Sequence, residues 1–107
     1  QALQAAGHLK ESLACFDAIL KVEPSREDVL YRRADVLHDL RRWDESARAF
    51  AAYLELRPDS YDAWFNRGLC LRFLERLDEA ASCFQHALAL HPDSQRALRQ
   101  IECHKKP

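Results

Sequence analysis

Methionine is absent from the 107 residues, glycine appears twice and proline four times. Strands joined by tight turns depend on glycine and proline, so their scarcity disfavours a sheet protein and favours long helices. No apolar run approaches the ~20 residues that cross a bilayer, and the start of the chain has no signal-peptide pattern. A charge excess is lacking too: the formal net charge is −1. That argues against nucleic acid or a membrane surface as partner, since both favour a basic excess. The four cysteines, Cys15, Cys70, Cys83 and Cys103, include no CxxC pair and form no dense disulfide framework. A reducing compartment is the simpler reading, and the expected localisation is cytoplasmic. The opening QALQAAG reads as mid-helix, so the chain is expected to be a piece of a longer protein.

What is present is a repeat. Pro24, Pro58 and Pro92 are spaced by 34 residues, and other columns keep the step: Phe16, Phe50 and Phe84; Leu20, Leu54 and Leu88; Leu3, Leu37 and Leu71; Glu11, Glu45 and Glu79. Ser12, Ser46 and Ala80 form a small-residue column, and Val22, Leu56 and Leu90 an aliphatic one. Within a unit the apolar residues follow helical spacing. Leu77, Ala80, Ala81, Phe84, Ala87 and Leu88 share one face of a helix; Trp64, Gly68, Leu71 and Leu74 share a face of the helix before it. A polar turn at Glu75-Arg76 separates them. Pro58-Asp59-Ser60 and Pro92-Asp93-Ser94 close one unit and open the next, with proline stopping a helix and Asp or Ser available to cap the following one. Each unit is a helical hairpin that needs its neighbours to bury its apolar face.

The unit at 61–94 closely resembles a tetratricopeptide repeat, in which Trp, Leu-Gly, Tyr, Ala, Phe, Ala and Pro recur within 34 residues. Trp64, Gly68, Ala80, Phe84, Ala87 and Pro92 fit; Arg67 stands where Leu is usual and Leu71 where Tyr is usual. Residues 27–60 depart further, with Leu30 for Trp, Ala34 for Gly and Tyr53 for Ala, while Ser46, Phe50 and Pro58 remain. Residues 1–26 resemble a unit without its first eight residues, with Gly7, Phe16 and Pro24 in place, and residues 95–107 resemble a capping helix. The resemblance implies a single all-α domain, a right-handed superhelical stack of antiparallel helical hairpins. It also explains Gly68: the bare backbone lets the two helices of a hairpin approach, a job Ala34 performs one unit earlier. Leu3, Leu9 and Leu13 have lost half of their partner helix, which leaves that edge a possible homodimer surface.

In this family the first helices of the hairpins line an inner face that binds peptides or partner proteins. Carried over residue by residue, that face consists of Asp28, Tyr31, Asp35, His38 and Asp39; then Asp62, Phe65, Asn66, Leu69, Arg72 and Phe73; then Arg96, Arg99, Gln100 and Cys103. It runs from acidic through aromatic to basic and suits an extended ligand of mixed charge. Phe65 and Phe73 are expected to be its exposed anchors. Chaperone-binding members clamp a C-terminal carboxylate with Lys, Asn, Asn, Lys and Arg. The matching places here hold Tyr31, Asp35, Asn66, Arg96 and Gln100, of which only Asn66 is identical, so no carboxylate clamp is expected.

Other chemistry finds little footing. Cys83 and His86 stand three apart on one helix, but a structural zinc site wants four ligands. Cys15 shares the column of Cys83 and Ala49, which reads as a small, semi-buried position. Cys103-His104 is equally weak. No nucleophile, base and orienting acid can be assembled around His38 or His91, and neither a phosphate loop nor HExxH occurs. No catalytic residue, metal or cofactor is therefore expected. LRRWDESAR reads as a solvated face with an Asp44–Arg48 ion pair, and Trp43 as packing between hairpins. Base-by-base RNA reading is opposed by the 34-residue period and the inner-face aspartates. The expected role is a scaffold for a protein or peptide. The alternative is a regulatory or substrate-presenting arm of a larger enzyme, such as a glycosyltransferase, with its catalytic part elsewhere.

Overall fold

Proline at 24, 58 and 92 falls in the loops that end one helix and open another, as its missing N–H and fixed φ require. The computed structural model describes the backbone of residues 2–105 and the side chains of residues 7–102. Leu3, Cys103 and His104 thus lie outside the described side chains. Six helices follow in order, with no strand among the described residues: α1 (Ala2–Val22), α2 (Glu27–Asp39), α3 (Trp43–Leu56), α4 (Tyr61–Phe73), α5 (Leu77–Leu90) and α6 (Gln95–Lys105). Each packs on the next, most closely α4 on α5 and α2 on α3. The result is the all-α stack of helical hairpins that the repeat demands.

The starts of α4 and α6 are capped by serine. Ser60 Oγ accepts the Ala63 N–H at 3.3 Å, and Ser94 Oγ accepts the Ala97 N–H at 3.2 Å. No side chain caps α2, which instead places Glu27 and Asp28 in its first turn against the helix dipole. The hairpin turns close alike. Arg42 N–H donates to the Leu37 carbonyl and Arg76 N–H to the Leu71 carbonyl, both at 2.9–3.0 Å, with Arg41 and Glu75 at φ 61°. A left-handed residue other than glycine costs roughly 1–2 kcal/mol.

Gly7 stands one 34-residue step before Arg41, yet α1 runs straight through it. Gly7 has no positive φ, and a Cβ there would meet nothing within 4 Å. Among the described residues there is no earlier helix for a turn at Gly7 to fold back upon. Continuing the helix gains a hydrogen bond per residue instead. The same circumstance corrects the reading of Cys15. It is exposed, whereas Ala49 and Cys83 are buried, because those two face the first helix of their own hairpin. Phe16 is likewise only half-buried, while Phe50 and Phe84 are sealed.

Gly68 sits where expected. A Cβ built on it would lie 2.6 Å from Phe84 Cε1 and 2.9 Å from Cδ1 and Cζ. In the previous hairpin Ala34 takes this place, and its carbonyl accepts the buried Ser46 hydroxyl at 2.8 Å. Trp43 packs between hairpins, its ring stacked on Phe73 at 4.3 Å with planes 10° apart. Arg67, the departure from leucine, donates from Nη1 to Cys83 Sγ at 3.1 Å, while its Nε is buried without a partner. Burial pushes the Cys83 thiol up, the Arg67 charge opposing. The expected Asp44–Arg48 pair is present at 2.7 Å.

Candidate functional site

Side-chain contacts join α2, α4 and α6 into one continuous face. Asn66 Nδ2 donates to the Tyr31 hydroxyl at 3.4 Å, joining α4 to α2. Arg72 Nη1 donates to Gln100 Oε1 at 3.1 Å, and the Tyr61 and Ser94 hydroxyls meet at 2.6 Å, joining α4 to the α6 end of the chain. These helices are the first members of their hairpins, and the residues that touch are those spaced to share one helix face.

Tyr31 is the centre of the α2 portion. Half-buried, it meets the Phe50 ring edge-on at 5.6 Å and the Tyr53 ring at 5.1 Å. Burial raises its hydroxyl pKa, and the nearby charges of Asp62 and Asp35 raise it further. Asp35 is exposed, yet its carboxyl is raised as well, by desolvation first and by Asp39 second. Asp28, also exposed, is 3.2 Å from the Arg26 guanidinium. His38 is half-buried with its ring edge-on to Trp43 at 4.9 Å, and its Nε2 is buried without a partner. Asp62 is exposed in the first turn of α4.

The α4 portion brings one correction. Phe65 is not an exposed anchor: it is 4% exposed, packed on Tyr61 and Phe84 and roofed by the Arg96 guanidinium at 4.3 Å from its ring centroid. Phe73, at 56% exposed, is the aromatic this face presents, with Trp43 as its backing. Leu69 is half-buried against the core. Arg99 is exposed, with no carboxylate partner among the described residues. The five places of a carboxylate clamp are largely engaged with each other and with neighbours: Asn66 with Tyr31, Arg96 with Phe65, Gln100 with Arg72.

Two clefts open beside this face, related by the repeat. The first, about 460 Å³, is lined by Glu27, Asp28, Tyr31, Tyr53, Arg57 and Asp59. The second, about 650 Å³, is lined by Tyr61, Asp62, His91, Asp93, Ser94 and Arg96. Tyr53 is the contributor that the inner-face pattern misses, because it lies on α3. Its signal in the sequence is its occurrence where the repeat has alanine.

No group of three or more His, Cys, Asp or Glu placed to hold a metal occurs among the described residues. Cys83 and His86 have separate engagements, the thiol with Arg67, and the imidazole stacked on Trp64 at 4.2 Å with Nδ1 on the Ser82 carbonyl. No described helix is long and apolar enough to cross a membrane.

The sequence profile of the tetratricopeptide repeat matches residues 1–55 and again residues 31–95. Among solved structures, the first such domain of Spaghetti (RPAP3) bound to the HSP90 peptide SRMEEVD superposes with a TM-score of 0.82 at 19% identity, over 92% of this chain and 78% of that one. The second such domain of human RPAP3, in complex with the HSP70 peptide SGPTIEEVD, gives 0.84 at 20% identity, over 99% and 88%. MamA from Desulfovibrio magneticus RS-1 gives 0.84 at 22% identity; the match covers 96% of this chain and 58% of that one. No curated protein sequence matches.

Proposed function

The chain belongs to the tetratricopeptide repeat family, and from that premise we propose that it is a non-catalytic scaffold holding an extended peptide or partner protein on the α2–α4–α6 face. The observation that carries this is the unspent chemistry of that face. Phe73 keeps 56% of its surface in water although it is backed by Trp43, and Asp35, Asp62 and Arg99 have no ion-pair partner among the described residues. An exposed aromatic backed by a second ring, on a face that also carries unpaired charge of both signs, is the composition of a binding surface. The RPAP3 domains in complex with peptides lend support from the fold they share. A carboxylate clamp of the chaperone-binding kind is not part of this reading, since Asp35 would repel the ligand where an amide should donate.

The test is capture of a partner by three versions of the chain. The wild type and an outer-face control, Gln85→Ala, retain the same protein; Phe73→Ala/Asn66→Ala loses it. Equal capture by all three places binding elsewhere on the molecule and sinks the assignment.

A further inference from the structure

The carboxylates of this chain differ in how closely they are paired. Asp17, Glu27, Asp44, Glu45 and Glu79 each lie 2.6–2.7 Å from a guanidinium. Glu55, Glu75, Asp93 and Glu102 have no cation within 4 Å among the described residues, and neither do Asp35, Asp39, Asp59 and Asp62, which lie on or beside the α2–α4 face. Shortage of cations is not the reason, because 16 Lys and Arg face 17 Asp and Glu.

Two of these, Asp35 and Asp39, do not serve the fold. Asp62 suits the first turn of α4, but Asp35 and Asp39 do not suit α2. They stand four apart, a like-charge pair that destabilises a helix, and Asp39 is the last residue of α2, where the dipole disfavours negative charge. The charges of Asp62 and Asp35 both act on the Tyr31 hydroxyl. Tyr31 is held by Asn66, and with Tyr53 it forms the aromatic wall of the cleft that carries Asp59, Asp28 with its Arg26 partner, and the Glu27–Arg57 ion pair. Carboxylates beside an aromatic wall are the chemistry that holds a guanidinium or ammonium. Across α4 the sign reverses at Arg99.

Building on the reading of the α2–α4–α6 face as the binding face, we propose that its ligand is a basic extended peptide, with an Arg or Lys side chain entering between Asp35, Asp62 and Tyr31. This is the opposite polarity from the EEVD-ended peptides on the RPAP3 domains. A cation there relieves the Asp35–Asp39 repulsion, so binding and the local electrostatics pull in one direction.

The probes are two heptapeptides with blocked ends: Gly-Ser-Arg-Ser-Arg-Ser-Gly, and its counterpart with glutamate for each arginine. Each is titrated into the isotope-labelled chain at low ionic strength, following the backbone amides by NMR. The arginine peptide shifts Tyr31, Asp35 and Asp62; the glutamate peptide does not. Asp35→Asn/Asp62→Asn, isosteric and checked for helicity, weakens the arginine peptide by about tenfold. A glutamate peptide that moves these amides equally overturns the charge assignment and leaves the groove standing. A folded double variant with undiminished affinity does the same. Shifts confined to α3 and α5, or none at all, overturn both the charge assignment and the groove.

Discussion

Arg96 lies over Phe65, its guanidinium carbon 4.3 Å from the ring centroid, and so fastens α6 to α4 through a cation on an aromatic face. The contact replaces water over a ring that is otherwise packed from below by Phe84. Such contacts contribute about 0.5–1 kcal/mol at sites open to solvent. Arg96→Ala should therefore speed hydrogen exchange of the α6 amides about two- to fivefold while leaving α2 and α3 unchanged. Unchanged exchange in α6 would show that the ring needs no roof.

Gly68→Ala should destabilise the chain by about 1–2 kcal/mol, since overpacking against Phe84 outweighs the ~1 kcal/mol gained in helix propensity. The Cβ would lie 2.6 Å from a ring that is itself buried, so the strain cannot be shed to solvent. Urea unfolding of Gly68→Ala, Phe84→Leu and the double variant forms a cycle in which the second substitution relieves the first. A stabilising Gly68→Ala would contradict the close crossing of α4 and α5.

Gly7→Ala should stabilise by about 0.5–1 kcal/mol, because the residue is mid-helix with open space around it. Glu75→Gly should be stabilising for the opposite reason, by up to about 1 kcal/mol, through relief of its φ of 61°. Thermal melts of the two variants check both. Loss of stability in Gly7→Ala would mean that α1 turns at Gly7 in solution.

Stability against pH carries the signature of Asp35. Its carboxyl is raised in the folded chain, by burial and then by Asp39, so the folded state takes up a proton before the unfolded state does. Acidification from neutrality through that raised value stabilises, and the gain is complete below the ordinary pKa of about 3.9. Glu45 and Glu79, held low by hydrogen bonds from Arg42 and Arg76, act the other way. Their contribution is present above about pH 4.3 and is lost as pH falls through their folded values. Asp35→Asn should thus melt above the wild type at neutral pH, with the gap closing on acidification toward pH ~4. A gap that does not change with pH would remove Asp35 from this role.

The repeat made most of the fold legible. Columns such as Phe50 and Phe84, or Leu37 and Leu71, are the buried side chains of successive hairpins. Ser60 and Ser94 cap the helices they precede, and Gly68 lies so close to the Phe84 ring that a Cβ would meet it. What was not legible depends on partners distant in sequence. Phe65 is read as exposed from its helix face alone, and it is Phe84 on α5 and Arg96 on α6 that cover it. Tyr53 reaches the cleft beside Tyr31 from α3, outside the helices that the inner-face pattern considers. The left-handed Arg41 and Glu75 bear no glycine or asparagine to announce them, while Gly7, which has that freedom, leaves it unused.

The two tryptophans have unlike neighbours. Trp43 is stacked on Phe73 across the junction between hairpins, and Trp64 is stacked on His86 within a single hairpin. Their fluorescence is thus divided between two levels of the architecture. With Trp64→Phe the remaining emission follows the Trp43–Phe73 stack between hairpins together with the His38 contact inside one; with Trp43→Phe it follows the Trp64–His86 stack and the bond to the Pro58 carbonyl. The chain carries its own pair of optical reporters, one weighted toward the seam between hairpins and the other toward the interior of one.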